Sequence, residues 1–247
     1  MEKKYVEVES RGLTLRGFLE LPDVPRNGRV PLLVLFHGFT GDMCEKHFLL
    51  SRLSKDIVKE GVATLRFDFG GSGESDGEFI DVTPLTEVED GTSILHYAVG
   101  LDEIDARRIG LLGFSLGGFV ATNVAAREKE LLSRLILVSP GIATHKKMEK
   151  SLRNCGRALR GSLEVREQFV TDGYALDPLV AARLFEKPVS IIQGTADVAV
   201  TPDTAETYKE AFPHASLSYV DGADHAYDSP EYFEELSRLV CAAAKCL

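Results

Sequence analysis

Apolar and polar positions alternate from the beginning of the chain. "KYVEVES" (4–10) and "LTLRGFLELP" (13–22) each place apolar residues at every second position, and Arg11-Gly12 between them predicts a β-hairpin. The pattern changes at residue 31. "PLLVLFHGF" contains an unbroken apolar run from Leu32 to Phe36, which suits a strand buried on both faces inside a parallel sheet. Similar runs return in "VATLRFDFGGSGESDG" from Val62, "RIGLLGFSLGG" from Arg108, "RLILVSPG" from Arg134, "PVSIIQGTAD" from Pro188 and "ASLSYVDGADH" from Ala215. Each ends in Gly, Ser, Asp or His.

Helical spacing fills the gaps at 48–60, 85–99, 116–127 and 201–212. Thr201-Pro202-Asp203 reads as a helix start: a capping hydroxyl, a proline at the first helical position and an acid at the positive end of the dipole. Ser229-Pro230-Glu231 repeats it for a last helix. Strands alternating with helices predict a mostly parallel central sheet with helices on both faces, whose ligands bind at the carboxyl ends of the strands. Residues 141–187 break the rhythm, and "THKKMEKSLRNCGRALRGS" within them is basic in an otherwise acidic chain. This stretch is read as a small cap inserted into a core of 1–140 and 188–247, the alternative being a long crossover with surface helices.

Gly113-Phe114-Ser115-Leu116-Gly117 fits G-x-S-x-G, and its context is strand, tight turn, helix. The glycines leave room for backbone to pack on backbone, and the turn lifts Ser115 at a helix N-terminus, where a developing negative charge is favoured. A serine that merely caps the helix would explain the hydroxyl but not the two glycines. A serine hydroxyl is a weak nucleophile, so it needs a base within hydrogen-bond reach and a group that orients the base. Asp197 in "GTADVAVTP" and His225 in "GADHAYD" follow successive strands with room for one helix and one strand between them. The order Ser, acid, His suits this arrangement. Asp68 in "RFDFGGSGESDG" also ends a strand and competes for the acid role, but from the wrong side of the serine's strand. The glycines beside it do not form G-x-G-x-x-G, which disfavours a nucleotide fold.

"HGFTG" follows the buried strand at 32–36, where such a site takes half of its oxyanion hole from backbone N–H groups. The two donors are assigned to the amides of Phe39 and Leu116. His37, Phe114 and Tyr174 are expected near the substrate, His37 by shaping its loop rather than by moving protons and Tyr174 by meeting a polar group from the cap. His47, His96, His145 and His214 read as surface or helix residues.

Composition adds boundaries. The 247 residues, 44% of them hydrophobic, fit one globular domain with a real core. A net charge of -10 argues against a nucleic-acid partner. No apolar run nears the ~18 residues of a spanning helix, and the N-terminal stretch lacks a signal-peptide pattern, so the expected location is cytoplasmic. Cys44, Cys155, Cys241 and Cys246 lack metal or disulfide spacing and are expected to be reduced thiols. No metal or organic cofactor is implied, because nucleophile, base and anion site are all protein groups. The expected partner is a small-molecule ester, with room for a homodimer.

Taken together, "LFHGFTG", "ATLRFDFGGSGESDG", "LLGFSLGG", "LVSPG", "KPVSIIQGTADVAVTP" and "VDGADHAYD" resemble the α/β-hydrolase superfamily, and within it the small bacterial cinnamoyl (feruloyl) esterases. The likeness spans residues 12–240. It implies an α/β-hydrolase fold and a serine carboxylic-ester hydrolase acting through an acyl-enzyme on hydroxycinnamate esters. In that scheme Ser115 is the nucleophile, His225 the base, Asp197 its orienter, and Phe39 with Leu116 the oxyanion donors. The elbow departs from the "GHSQGG" usual in those esterases, since Phe114 and Leu116 make its surroundings more apolar. The alternatives are a general short- or medium-chain carboxylesterase or monoacylglycerol-type lipase, an acyltransferase, and a small-ligand receptor that keeps the triad.

Overall fold

The alternating segments at the N-terminus form β1 (Glu2–Ser10) and β2 (Leu13–Leu21), an antiparallel pair in a computed structural model that describes residues 1–23 and 28–247. Arg11 and Gly12 both take positive φ, 52° and 77°, the two-residue turn whose twist matches that of the flanking strands. The apolar runs become β3 (Val30–Phe36), β4 (Ala63–Phe67), β5 (Ile104–Phe114), β6 (Arg134–Val138), β9 (Val189–Gly194) and β10 (Ala215–Val220). They join the hairpin in one eight-stranded sheet of order β1-β2-β4-β3-β5-β6-β9-β10. Every pairing from β4 to β10 is parallel.

Parallel pairing needs crossover helices, and these cover both faces. On one face α2 (Pro84–Val99), α3 (Leu116–Arg127), α6 (Pro178–Leu184) and α7 (Pro202–Ala211) bury Leu95, Val120, Ala182 and Tyr208 against Leu32, Val34, Leu111 and Leu137. On the other, α1 (Leu49–Lys59) and α8 (Pro230–Ala244) bury Leu53 and Leu236 against Leu33, Leu35, Leu112 and Ile136. Odd and even positions of one strand thus feed opposite cores, which is why these runs show no alternation. This is the α/β-hydrolase fold.

The stretch expected as a cap begins with α4 (Thr144–Cys155), a hairpin of β7 (Ala158–Arg160) and β8 (Leu163–Val165), and α5 (Gln168–Ala175). Met148, Ala158, Val165 and Phe169 form a third cluster with Leu116 and Phe119 at the start of α3. The remainder of 141–187 differs from expectation, because α6 lies in the main core, where Ala182 and Phe185 are buried. The hairpin was not expected either; strands of three residues are too short to carry a periodic signal. Thr201 precedes α7 as expected but makes no capping bond, whereas Ser229 Oγ accepts from the Tyr232 amide at 3.1 Å. No helix among the described residues is long and apolar enough to cross a membrane.

A buried ionic cluster locks the first hairpin to α2. Arg11 donates from Nε and Nη2 to the two carboxylate oxygens of Asp90 at 2.9 and 2.8 Å, and Ser10 Oγ adds a bond of 2.7 Å. Glu87, one turn earlier on α2, is buried with Oε2 unpartnered among the described residues. Burial first, and then the Asp90 charge, push its carboxyl from 4.5 up to about 8. Between those values the folded chain holds a proton that the unfolded chain has lost, so this group makes stability fall as pH rises through the window. Replacing Glu87 with Gln is expected to flatten that decline. Urea midpoints near pH 5 and pH 9 check it: the gap between them narrows in Glu87→Gln, mainly by a gain at the alkaline end.

Candidate active site

The sequence folds into a sharp turn at the end of β5 because two glycines allow backbone to touch backbone. A Cβ on Gly113 would sit 2.2 Å from the Gly117 carbonyl oxygen, and one on Gly117 would sit 2.4 Å from the carbonyl oxygens of Phe36 and His37. Ser115 between them has φ 54° and ψ −119°, a region that L-residues rarely adopt and that costs on the order of 1–3 kcal/mol. The turn is held from outside. The Ser115 amide donates to Val138 at 3.0 Å, and its carbonyl accepts from Gly118 at 3.0 Å and Gly141 at 2.7 Å. The side chain stands half-exposed at the N-terminus of α3.

The loops after β9 and β10 meet it from the same sheet edge. His225 Nε2 lies 3.0 Å from Ser115 Oγ, and His225 Nδ1 lies 2.7 Å from Asp197 Oδ2. Asp197 is buried, while the His225 side chain is 25% exposed and so reachable from the cleft. Burial alone would raise the Asp197 carboxyl. The His225 hydrogen bond and charge, the Val200 amide and the Gln193 side chain outweigh burial and hold it below the ordinary carboxylate range. An ionised carboxylate only accepts hydrogen bonds, so Nδ1 carries the ring proton and Nε2 turns its lone pair toward the serine.

Asp197 is itself positioned. Oδ1 accepts the amides of Ala199 at 2.9 Å and Val200 at 2.8 Å, and Oδ2 accepts Gln193 Nε2 at 3.1 Å. Gln193 also donates to the Val200 carbonyl at 3.0 Å, tying strand β9 to the loop that it feeds. The sequence reading missed Gln193, although a polar residue inside "SIIQG" was a signal. Asp68, the competing acid, accepts the Met43 amide at 2.6 Å and the Glu74 amide at 2.9 Å. It braces loops, and β4 lies across β3 from the serine's strand.

A cleft of about 890 Å³ opens over Ser115 and His225, lined in part by Phe39, Phe114, Met148, Leu159 and Val198. Phe114 stacks obliquely on the His225 ring at 5.1 Å between centroids. The amides of Phe39 and Leu116 donate to no other group among the described residues.

Two expected substrate contacts are corrected. His37 is buried off the cleft, its Nε2 accepting the Phe69 amide at 3.1 Å and its Nδ1 lying 3.0 Å from the Gly38 carbonyl oxygen; it shapes the loop and touches no substrate space. Tyr174 on α5 is 53% exposed outside the cleft and donates its hydroxyl to Glu149 at 2.7 Å. Of the other histidines, His145 lies on α4 as expected but is buried, 4.6 Å from the Tyr174 ring. No cluster of three or more His, Cys, Asp or Glu side chains suited to a metal occurs among the described residues.

The family described as serine aminopeptidase, S33 (Hydrolase_4) matches residues 29–178. An uncharacterized 31.7 kDa protein in the traX-finO intergenic region of Escherichia coli is 35% identical over 130 residues, covering 51% of this chain and 44% of that protein. The quorum-quenching protein AidA of Acinetobacter baumannii is 32% identical over 129 residues, 51% of this chain and 40% of that one. The chain therefore spans less than half the length of these curated relatives. Est1E from Butyrivibrio proteoclasticus, solved with ferulic acid, superposes with a TM-score of 0.85 at 25% identity, over 96% of each chain. The family match covers more than half of the sequence and includes the strand, turn and helix around Ser115: the chain belongs to the serine aminopeptidase S33 family of α/β hydrolases.

Proposed function

We propose that the chain is a serine carboxylic-ester hydrolase working through an acyl-enzyme. The observation that carries this reading is the unbroken hydrogen-bond chain Ser115 Oγ, His225, Asp197, at 3.0 and 2.7 Å. In the first half-reaction His225 Nε2 takes the Ser115 proton while Oγ bonds to the acyl carbon. The carbonyl oxygen becomes an oxyanion, received by the Phe39 and Leu116 amides and the positive end of α3. His225 returns the proton to the departing alkoxide as the ester C–O bond breaks. Water then repeats the cycle on the acyl-enzyme and frees the acid. Asp197 stays ionised throughout and keeps the ring in its working tautomer.

An ester fits the cleft better than a peptide with a free amino terminus. Lys46, Lys147 and Arg160 line its walls, and the carboxylates there are committed elsewhere: Asp42 to the Cys44 and Glu45 amides, Glu45 to the Gly38 and Lys46 amides. An incoming ammonium would find these carboxylates already engaged, Lys46 paired with Asp228 at 2.7 Å, and Lys147 and Arg160 beside them. The insert 144–175 roofs this space and is assigned as the lid.

For the acyl group, hydroxycinnamate is the first reading, supported by the likeness to Est1E with its bound ferulic acid. A flexible alkyl acyl chain is the second, favoured by one observation: Tyr174, the lid residue suited to a phenol, is turned away to Glu149, leaving Met148, Leu159 and Val198 to face the substrate. Rates on methyl ferulate beside p-nitrophenyl butyrate separate them. A tenfold or greater preference for the aromatic acid supports the first reading, and absent ferulate turnover with rapid butyrate turnover supports the second.

Ser115→Ala is expected to abolish turnover on every ester with an unchanged circular dichroism spectrum. Asp197→Asn is expected to lower kcat by about 10⁴, because an amide that donates to the ring stabilises the wrong tautomer. Steady-state kinetics on p-nitrophenyl butyrate checks both, and near-full activity of Asp197→Asn contradicts the acid assignment.

A further inference from the structure

Loop 38–48 joins β3 to α1 and lines the cleft, and four of its residues other than glycine have positive φ: Thr40 at 66°, Glu45 at 60°, His47 at 52° and Phe48 at 58°. Glu45 is the most constrained. Its ψ of 169° places it in a region that is essentially reserved for glycine. Glutamate there gives up backbone stability, so its side chain should return something that glycine cannot.

That side chain folds back over the start of its own loop. Glu45 Oε1 accepts the Gly38 amide at 2.5 Å, and Oε2 accepts the Lys46 amide at 3.3 Å. A Cβ on Gly41 would lie 2.4 Å from Oε1, so the carboxylate fills the space left by that glycine. On Gly38, a Cβ would lie 3.0 Å from Ser115 Cβ and 3.1 Å from Glu45 Oε1. Gly38 thus leaves no room for a side chain against the carboxylate and the serine. Phe39 is the next residue.

The far side of the loop is fixed independently. The Met43 amide donates to Asp68 at 2.6 Å, and the Met43 carbonyl accepts from the buried Arg66 at 2.9 Å. Between that anchor and β3, the Gly41 amide bonds the Gly38 carbonyl at 3.1 Å, and only the Glu45 carboxylate holds the Gly38 amide among the described residues.

We propose that Glu45 is a positioning residue: its carboxylate clamps the Gly38 amide and so aims the adjoining Phe39 N–H at the oxyanion of the acyl-transfer step. This rests on the reading that Ser115 forms an acyl-enzyme. Glu45 touches no reacting atom. It acts through the Gly38–Phe39 backbone, so losing it weakens transition-state binding more than ground-state binding.

The test compares the wild-type chain with Glu45→Ala, Glu45→Gln and Gly41→Ala on p-nitrophenyl butyrate, and measures inhibition by a trifluoromethyl ketone, whose hemiketal oxyanion occupies the same site. Glu45→Ala is expected to lower kcat by about 10- to 100-fold, short of the ~10²–10³ for outright loss of one oxyanion donor. KM stays within about twofold, and ketone affinity falls in parallel with kcat. Glu45→Gln, which keeps an acceptor oxygen, restores a large part of both. Gly41→Ala, whose methyl group evicts the carboxylate, reproduces the Ala phenotype with Glu45 intact and carries the test if Glu45→Ala does not fold. Wild-type kcat and ketone affinity in Glu45→Ala or Gly41→Ala overturn the assignment, as does a Gln variant no better than Ala. A fluorophosphonate control on wild type separates the two levels: unlabelled Ser115 with no turnover removes the esterase reading and this assignment together, whereas labelled, active wild type with unaffected variants removes the role of Glu45 alone.

Discussion

The contact on which the rest depends is backbone against backbone at the end of β5. Because no side chain fits at Gly113 or Gly117, α3 packs directly on its own strand and on the carbonyls that end β3. Ser115 is left with a conformation that it would not choose alone, and the hydroxyl points out of the sheet edge. The strain persists because Val138, Gly118 and Gly141 hold the turn from three directions. The buried two-faced sheet gives those holders rigidity.

Parallel pairing then decides what the serine meets. Strands β5, β6, β9 and β10 all run the same way, so loops distant in sequence emerge along one edge. Asp197 and His225 are brought to Ser115 by strand order rather than by local sequence, and each carries its own support. Gln193 and the amides of Ala199 and Val200 fix the carboxylate, and the carboxylate fixes the ring. The same logic governs the oxyanion side, where Asp68 and Arg66 pin Met43 and Glu45 grips Gly38. The carboxylates near the chemistry thus spend their hydrogen-bonding capacity mostly on backbone amides.

Much of this was legible in the sequence, for definable reasons. Buried parallel strands write themselves as apolar runs, and a polar residue at the end of such a run faces the functional edge; that is how Ser115, Asp197 and His225 stand out. Gly113 and Gly117 could be read because close approach leaves only glycine. What stayed hidden depended on the direction of side chains. His37 and Tyr174 stand in suggestive places, but one ring is captured by the Phe69 amide and the other hydroxyl by Glu149. Glu45 carries no periodic signal, since its role comes from a left-handed loop that no pattern of apolar residues encodes. The strand at Ile104 begins earlier than its apolar run because a register shift between Val30 and Leu32 leaves Asp105 to Arg108 outside the pairing with β3, with Arg107 and Arg108 exposed.

The central claim is that Ser115 carries the acyl group while an ester is turned over. Acid quenching during turnover of p-nitrophenyl butyrate, followed by intact-mass measurement and peptide mapping, tests it most directly. The account predicts a butyryl adduct on the peptide that contains Ser115, formed and lost at rates each no slower than kcat. Turnover that proceeds with the acyl group on another residue would contradict it.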